Sequence, residues 1–199
     1  MVTAVSRGHA TEERMVDVLA AVADVVPEGY RVESVEGEIY VTPPALPEHR
    51  DDIEVLEDSL RAMNVGRVGM AKEFSSGLVG DDIRPYAIPD LYVQARETDD
   101  MDRAWARAHD NYFPLAMLAL VVEVTSPSTR DRDFGAKLRT YAGAGVPVYV
   151  IVDRKNRVLV VHHEPDPEKR CYAAVATVPY GTAAPMPKPF ADLDTSLLV

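Results

Sequence analysis

Residues Leu115 to Asp153 read LAMLALVVEVTSPSTRDRDFGAKLRTYAGAGVPVYVIVD. The apolar run from Leu115 to Val124 follows Pro114 and ends in a Ser/Pro/Thr loop, the pattern of a strand covered on both faces. Ser128 or Thr129 can cap a helix from Arg130 to Ala142, which Gly143 and Gly145 then end. A second apolar strand, Val146 to Val152, follows at once. Strand, helix and strand in that order imply a parallel crossover packed on a sheet. The expected fold is therefore α/β, a central mixed sheet flanked by helices.

A single carboxylate, Glu123, interrupts the first strand. An ionised carboxylate buried without a partner is costly enough that it acquires a cation, a metal or a proton. Glu123 is thus the first candidate functional residue. On the following helix Asp133, Lys137 and Tyr141 stand at i, i+4 and i+8 and share one face.

Composition narrows the classes. The 199 residues suffice for one domain with a real core, and 47% apolar with 27% charged residues is ordinary for a globular protein. No apolar run is long enough to span a bilayer, and the N-terminal stretch has no apolar signal core, so the expected location is cytoplasmic. The single cysteine, Cys171, excludes a disulfide framework and reads as a half-buried thiol. A net charge of −11 argues against a broad grip on nucleic acid, which needs a basic face. Positive charge is nevertheless crowded after Glu123, in Arg130, Arg132, Lys137 and Arg139, leaving room for a local basic site or for a solvated helix face.

Outward from this core, residues 11–26 carry apolar positions at helical spacing, with Thr11 as a cap. Tyr30 to Thr42 reads as a hairpin turning near Glu36 and Gly37, with Glu33 in its first strand. The turn at Pro43, Pro44 and Pro47 leads into a helix from Glu48 to Met63 that carries His49 and buries Ile53, Leu56, Leu60 and Met63. Gly66 to Phe74 and Ile88 to Gln94 read as strands around a polar loop, Gly77 to Arg84, and Pro89 fixes Asp90 at the start of the second. Gln94 to Tyr112 reads as an exposed loop with a short helix around Trp105. Beyond Asp153, strands are expected at Val158 to His162 and Cys171 to Val178. His162 and His163 point to opposite faces and do not make a metal site. The segment 179–199 is expected to lie extended on the core and dock through Leu193, Leu197 and Leu198.

Asp90 at one strand start and Glu123 inside the next strong strand make a carboxylate pair of the kind that holds a hard divalent ion, with the Val124 carbonyl as a further oxygen. Ser126 and Ser128 lack the G-x-S-x-G surroundings of a nucleophile, and Gly143 with Gly145 is no dinucleotide fingerprint.

Pro89 with Asp90, and Glu123-Val124-Thr125, resemble the PD and (D/E)xK elements of the PD-(D/E)xK nuclease superfamily, with threonine in the lysine position. The order Glu33, Gly37, Pro43 to His49, Pro89-Asp90, Glu123 to Thr129, then Asp133, Lys137 and Tyr141, then Gly145 to Asp153, resembles the Uma-two family of restriction-endonuclease-like proteins. Val150 stands where that family often has tryptophan, a packing change. The resemblance spans about Tyr30 to Val199 and implies a restriction-endonuclease-like core, a DNA substrate and an Mg²⁺ or Mn²⁺ ion held by Asp90 and Glu123. It also implies a relocated catalytic lysine: of five lysines against sixteen arginines, Lys137 alone lies on the helix after Glu123. Without that role, Lys137 would form an i to i+4 salt bridge with Asp133.

The expected protein is a single domain over 1–199, with Asp90, Glu123 and Lys137 converging at one sheet edge and Glu33 and His49 approaching from the other side. The expected activity is metal-dependent endonucleolytic hydrolysis of DNA. Two alternatives are a non-catalytic protein that keeps the fold for binding or dimerisation, favoured by Thr125 and the acidic charge, and a metal-dependent hydrolase of a small phosphodiester. A symmetric homodimer is the default assembly for such a fold.

Overall fold

A computed structural model of the chain describes residues 14–76 and 86–198; Thr11 and the loop expected at Gly77 to Arg84 lie outside the described residues. Helix α1 (Met15–Ala23) is shorter than its expected span, because the chain leaves it in a turn that exposes Val25. The hairpin of β1 (Arg31–Val35) and β2 (Glu38–Thr42) follows. It turns at Glu36 and Gly37, whose positive φ values of 53° and 80° match the twist of the paired strands. Helix α2 (Pro47–Met63) opens with proline in its first turn, where the missing N–H costs nothing, and stops at Asn64 in the left-handed conformation. Ile53, Leu56 and Leu60 form its buried stripe.

The expected strand Gly66 to Phe74 is two strands in different sheets, β3 (Arg67–Met70) and β4 (Phe74–Ser75), because Ala71 takes a positive φ of 49° and turns the chain between them. After β5 (Tyr86–Ala87), Pro89 and Asp90 lead into β6 (Leu91–Gln94). Helix α3 (Asp100–Ala108) contains Trp105 and is capped reciprocally by Asp99 and Asp102. Strand β7 (Phe113–Pro114) and a 3-10 turn, Leu115–Met117, precede β8 (Leu118–Val124), so the apolar run of the sequence is one turn longer than the strand.

The helix after β8 is not uniform. It comprises α4 (Arg130–Arg132), a π turn over Asp133–Lys137 and α5 (Leu138–Gly143). Its start is tied by Ser126, whose N–H donates to the Thr129 hydroxyl at 2.9 Å and whose hydroxyl accepts the Thr129 N–H at 3.2 Å. Ser126 therefore supplies the capping contact expected of Ser128 or Thr129. Strands β9 (Val148–Asp153), β10 (Val158–Asp166) and β11 (Cys171–Pro179) complete the elements.

Six strands form one mixed sheet in the order β11-β10-β9-β8-β6-β3, and the other five form β2-β1-β5-β4-β7. Strands β8 and β9 are parallel, as the crossover requires, while β6 and β8 are antiparallel with Leu91 opposite Val122. Continuing that register sets Asp90 beside Glu123. Both strands are interior to the sheet, so Asp90 and Glu123 meet at strand ends in its middle and not at an edge. One face of β8, Leu120, Val122 and Val124, packs on α2 and on Ala184, Phe190, Leu193 and Leu198 of the C-terminal segment. The other face meets Tyr141, Tyr149 and Ile151. Leu193 and Leu198 dock in the core as expected, whereas Leu197 is 68% exposed and does not. Cys171 is half-buried, and no described helix is long and apolar enough to cross a membrane.

Candidate active site

Asp90 is the most heavily tied carboxylate of the site. Its Oδ1 accepts from Arg31 at 2.7 Å, and its Oδ2 accepts the Val124 N–H at 2.9 Å and lies 3.3 Å from His49 Nε2. The same His49 nitrogen donates to the Val124 carbonyl at 2.8 Å, so the first turn of α2 is pinned to the end of β8. Burial works against the Asp90 charge, yet the hydrogen bond to His49 and the Arg31 guanidinium outweigh it and hold the carboxyl well below its ordinary range. Burial likewise lowers the His49 pKa, and Asp90 with the Val124 carbonyl more than reverses it, so the pKa is raised above its ordinary value.

Glu123 is fixed differently. Its Oε1 accepts from Lys137 Nζ at 2.8 Å and from the Tyr141 hydroxyl at 2.6 Å. Burial pushes its pKa up to about 8; Lys137 pulls it down, while the charges of Asp90, Asp133 and Glu33 push it further up. Lys137 is fully buried and also lies 2.9 Å from Glu33 Oε1. Burial alone would strip its proton, but Glu123 and Glu33 hold it, and its pKa is raised. Glu33 accepts the Ile88 N–H at 2.8 Å and faces Arg132 at 3.5 Å. Burial opposes its charge, and Lys137 and Arg132 together keep its pKa below the ordinary value.

Asp133, at the start of the π turn, is buried with neither carboxylate oxygen in a hydrogen bond of ordinary geometry. Burial raises its pKa to about 6, although Lys137, the Thr129 hydroxyl and Arg132, whose Nε is 4.0 Å away, all attract it. The alternative salt bridge from Lys137 to Asp133 is thus not what holds this lysine; Glu123 and Glu33 do. A π turn in the middle of an α-helix is a recurrent companion of functional sites, and here it carries Asp133 and Lys137 to one place.

Asp90, Glu123, Asp133 and His49 line one cavity of about 400 Å³, walled on one side by Pro43, Pro44 and Leu46. The structure therefore brings Asp90, Glu123 and Lys137 together, with Glu33 and His49 joined to them. Thr125 takes no part. It is buried outside the cavity lining, and its hydroxyl accepts the Arg154 N–H at 3.2 Å. The basic crowd after Glu123 is no open patch either: Arg130 pairs with Asp153 at 2.7 Å, Arg139 with Glu36 at 2.6 Å, and Arg132 is buried against Glu33. Arg31 is the residue that sequence reasoning passed over. Its signal was the period-two spacing that sets it on the same face of β1 as Glu33.

Among the described residues no three His, Cys, Asp or Glu side chains are grouped so as to hold a metal ion. Magnesium keeps several waters and often takes only one or two protein carboxylates, so a two-carboxylate site stays within its habits. Glu33, Asp90, Glu123 and Asp133 are crowded against Arg31, Arg132, Lys137 and the His49 ring, and the crowding of buried carboxylates appears as the raised Glu123 and Asp133 pKa values.

The Uma2 family, described as "Putative restriction endonuclease", matches residues 18–197. Among solved structures, the chain is similar to a crystal structure from Anabaena variabilis ATCC 29413 described as a putative nuclease belonging to DUF820. The TM-score is 0.58 at 15% identity, covering 85% of this chain and 88% of that one, a likeness of fold. No curated protein matches. Since the family match takes in nearly all of the chain, from α1 to the C-terminal segment, this protein belongs to the Uma2 family.

Proposed function

We propose that the protein is a divalent-metal-dependent endonuclease that hydrolyses DNA phosphodiester bonds, with Asp90 and Glu123 holding Mg²⁺ or Mn²⁺ and Lys137 as the catalytic cation. The observation that carries this reading is the fully buried Lys137, 2.8 Å from Glu123. A buried ammonium against a carboxylate is a poor device for stability, and a hydrophobic pair of equal volume does as well or better. Lys137 does not itself line the cavity, but it is bonded to Glu123, which does, and through that contact it supplies the positive charge that Thr125 cannot.

When bound, the metal would neutralise charge on the phosphoryl oxygens and lower the pKa of water. The chain's own residues do the rest. Arg31 and His49 keep Asp90 ionised and immobile. Lys137 and Tyr141 orient Glu123, and the Lys137 ammonium beside it has the sign that offsets the negative charge of the phosphoryl oxygens in the transition state. The water oxygen bonds to phosphorus, one ester P–O bond breaks, and the water's proton ends on the departing oxygen, giving a phosphomonoester and a free hydroxyl. Family membership and the resemblance to the PD-(D/E)xK pattern support DNA as the substrate.

The test is cleavage of supercoiled and single-stranded DNA with Mg²⁺ and with Mn²⁺, wild type beside Glu123→Gln. Metal-dependent cutting that the variant loses is expected. Metal affinity without turnover would point instead to a binding protein that retains the fold.

A further inference from the structure

The reactive groups are deeply set. The Asp90 and Glu123 side chains are 4% and 3% exposed, and they are reached through a cavity of about 400 Å³. That volume lies near the small end for a single-ligand pocket. A phosphate in a stacked duplex cannot descend into such a space, because its neighbours on both strands come with it. A nucleotide without a paired partner can, at no cost in unpairing.

The cavity lining includes two chemically unlike groups. Pro43, Pro44 and Leu46, with Leu46 65% exposed, are apolar. Ser126, Pro127 and Arg154 are shared with a wider cleft of about 780 Å³. In that cleft Arg130 is paired with Asp153 and Arg154 with Asp52 at 3.0 Å, which leaves Lys155 and Arg157 as its open basic residues, beside Asp131. Lys155 and Arg157 are exposed. In a chain of net charge −11, Lys155 and Arg157 make an exposed basic pair in a cleft that adjoins the site. A single strand presents these two chemistries side by side, apolar base faces and an anionic backbone.

We propose that the substrate is unpaired DNA, seated with one base against Pro43, Pro44 and Leu46 and with the adjoining backbone along Lys155 and Arg157. This rests on the endonuclease reading for the reaction but makes a separate claim about which strand is held. The acidic remainder of the surface favours a short contact of this kind over the long basic face that a duplex requires.

Binding and cutting are measured separately so that the two readings fail separately. Anisotropy of a labelled oligodeoxynucleotide, as single strand, as duplex and as RNA of the same sequence, is recorded without divalent metal. Single-stranded DNA is expected to bind at least about tenfold more tightly than duplex, and Lys155→Ala/Arg157→Ala to weaken it about tenfold with a shallower salt dependence. Equal affinity for duplex, preference for RNA, or indifference to the double substitution overturns the proposal, whatever the cleavage assay gives. Strand preference with no cutting in Mg²⁺ or Mn²⁺ upholds it and overturns the endonuclease reading instead.

Discussion

Asp90 and Glu123 are neighbours in the same cavity, both buried, yet their surroundings drive them in opposite directions. Asp90 has Arg31, His49 and a backbone N–H, and stays ionised far below its ordinary pKa. Glu123 has a lysine and a tyrosine on a single oxygen and apolar residues around it, and its pKa rises to about 8. Two carboxylates pushed apart in this way are the mark of a division of labour. Asp90 is a fixed anchor whose charge is already balanced. On the proposed reading, Glu123 is the group that exchanges a proton for the metal ion.

The largest disturbance of that contrast is to remove the cation that Glu123 already has. Lys137→Met leaves Glu33 and Glu123 buried without their shared partner, and breaking a buried pair from one side costs about 3–5 kcal/mol. Thermal unfolding at pH 7 should show a loss of that size, with no detectable cleavage. The companion Lys137→Met/Glu33→Gln should recover part of the stability and none of the activity. Recovery of cleavage would remove Lys137 from the mechanism.

Glu123→Gln separates function from folding. The amide still accepts from Lys137 and Tyr141, so the unfolding temperature should stay near that of wild type while cleavage falls about 10³-fold. A variant that cuts normally would show that the raised carboxylate is structural.

The pH behaviour sharpens the comparison further. A carboxylate whose folded pKa is raised contributes stability below its unfolded pKa and loses it as pH rises through the folded value. For Glu123 that window runs from the ordinary carboxylate range up to about 8, and for Asp133 up to about 6. Metal-free wild type should therefore unfold at lower temperature at pH 8 than at pH 5.5 by these two groups, and Glu123→Gln should flatten the trend. Asp90 has the opposite sign: its contribution is present above its unfolded pKa and is lost only in strong acid. If Glu123 holds the metal as proposed, metal and proton compete for it, and the acid limb of the cleavage rate should move to lower pH as Mg²⁺ is raised. An acid limb that ignores Mg²⁺ would place the metal elsewhere.

How much of this was legible in the sequence follows from what each feature depends on. The parallel β8–β9 pair was legible because two covered strands and a helix with caps leave one arrangement. Glu123 was legible as an interruption in an apolar run. The π turn was not, because the i to i+4 spacing of Asp133, Lys137 and Tyr141 reads as an ordinary helix. The splitting of Gly66 to Phe74 between two sheets hung on one positive φ at Ala71, a residue with no turn signature. Arg31 shared a face of β1 with Glu33, but that spacing did not show its partner, Asp90, which lies far along the chain.

Thr125 is the smallest and most pointed test. In the sequence it occupies the position where the superfamily pattern has lysine, so the expectation from pattern alone is that restoring lysine there would help. The structure argues otherwise. Thr125 is buried outside the cavity lining, with its hydroxyl on the Arg154 N–H, while the ammonium already sits on Glu123 from the next helix. Thr125→Val should cost about 1 kcal/mol, the worth of one hydrogen bond, and leave the cleavage rate within twofold. Thr125→Lys should not rescue Lys137→Met. Rescue would mean that β8 presents residue 125 to the reacting phosphate after all, and that Glu123 is served by a cation from its own strand rather than from the π turn.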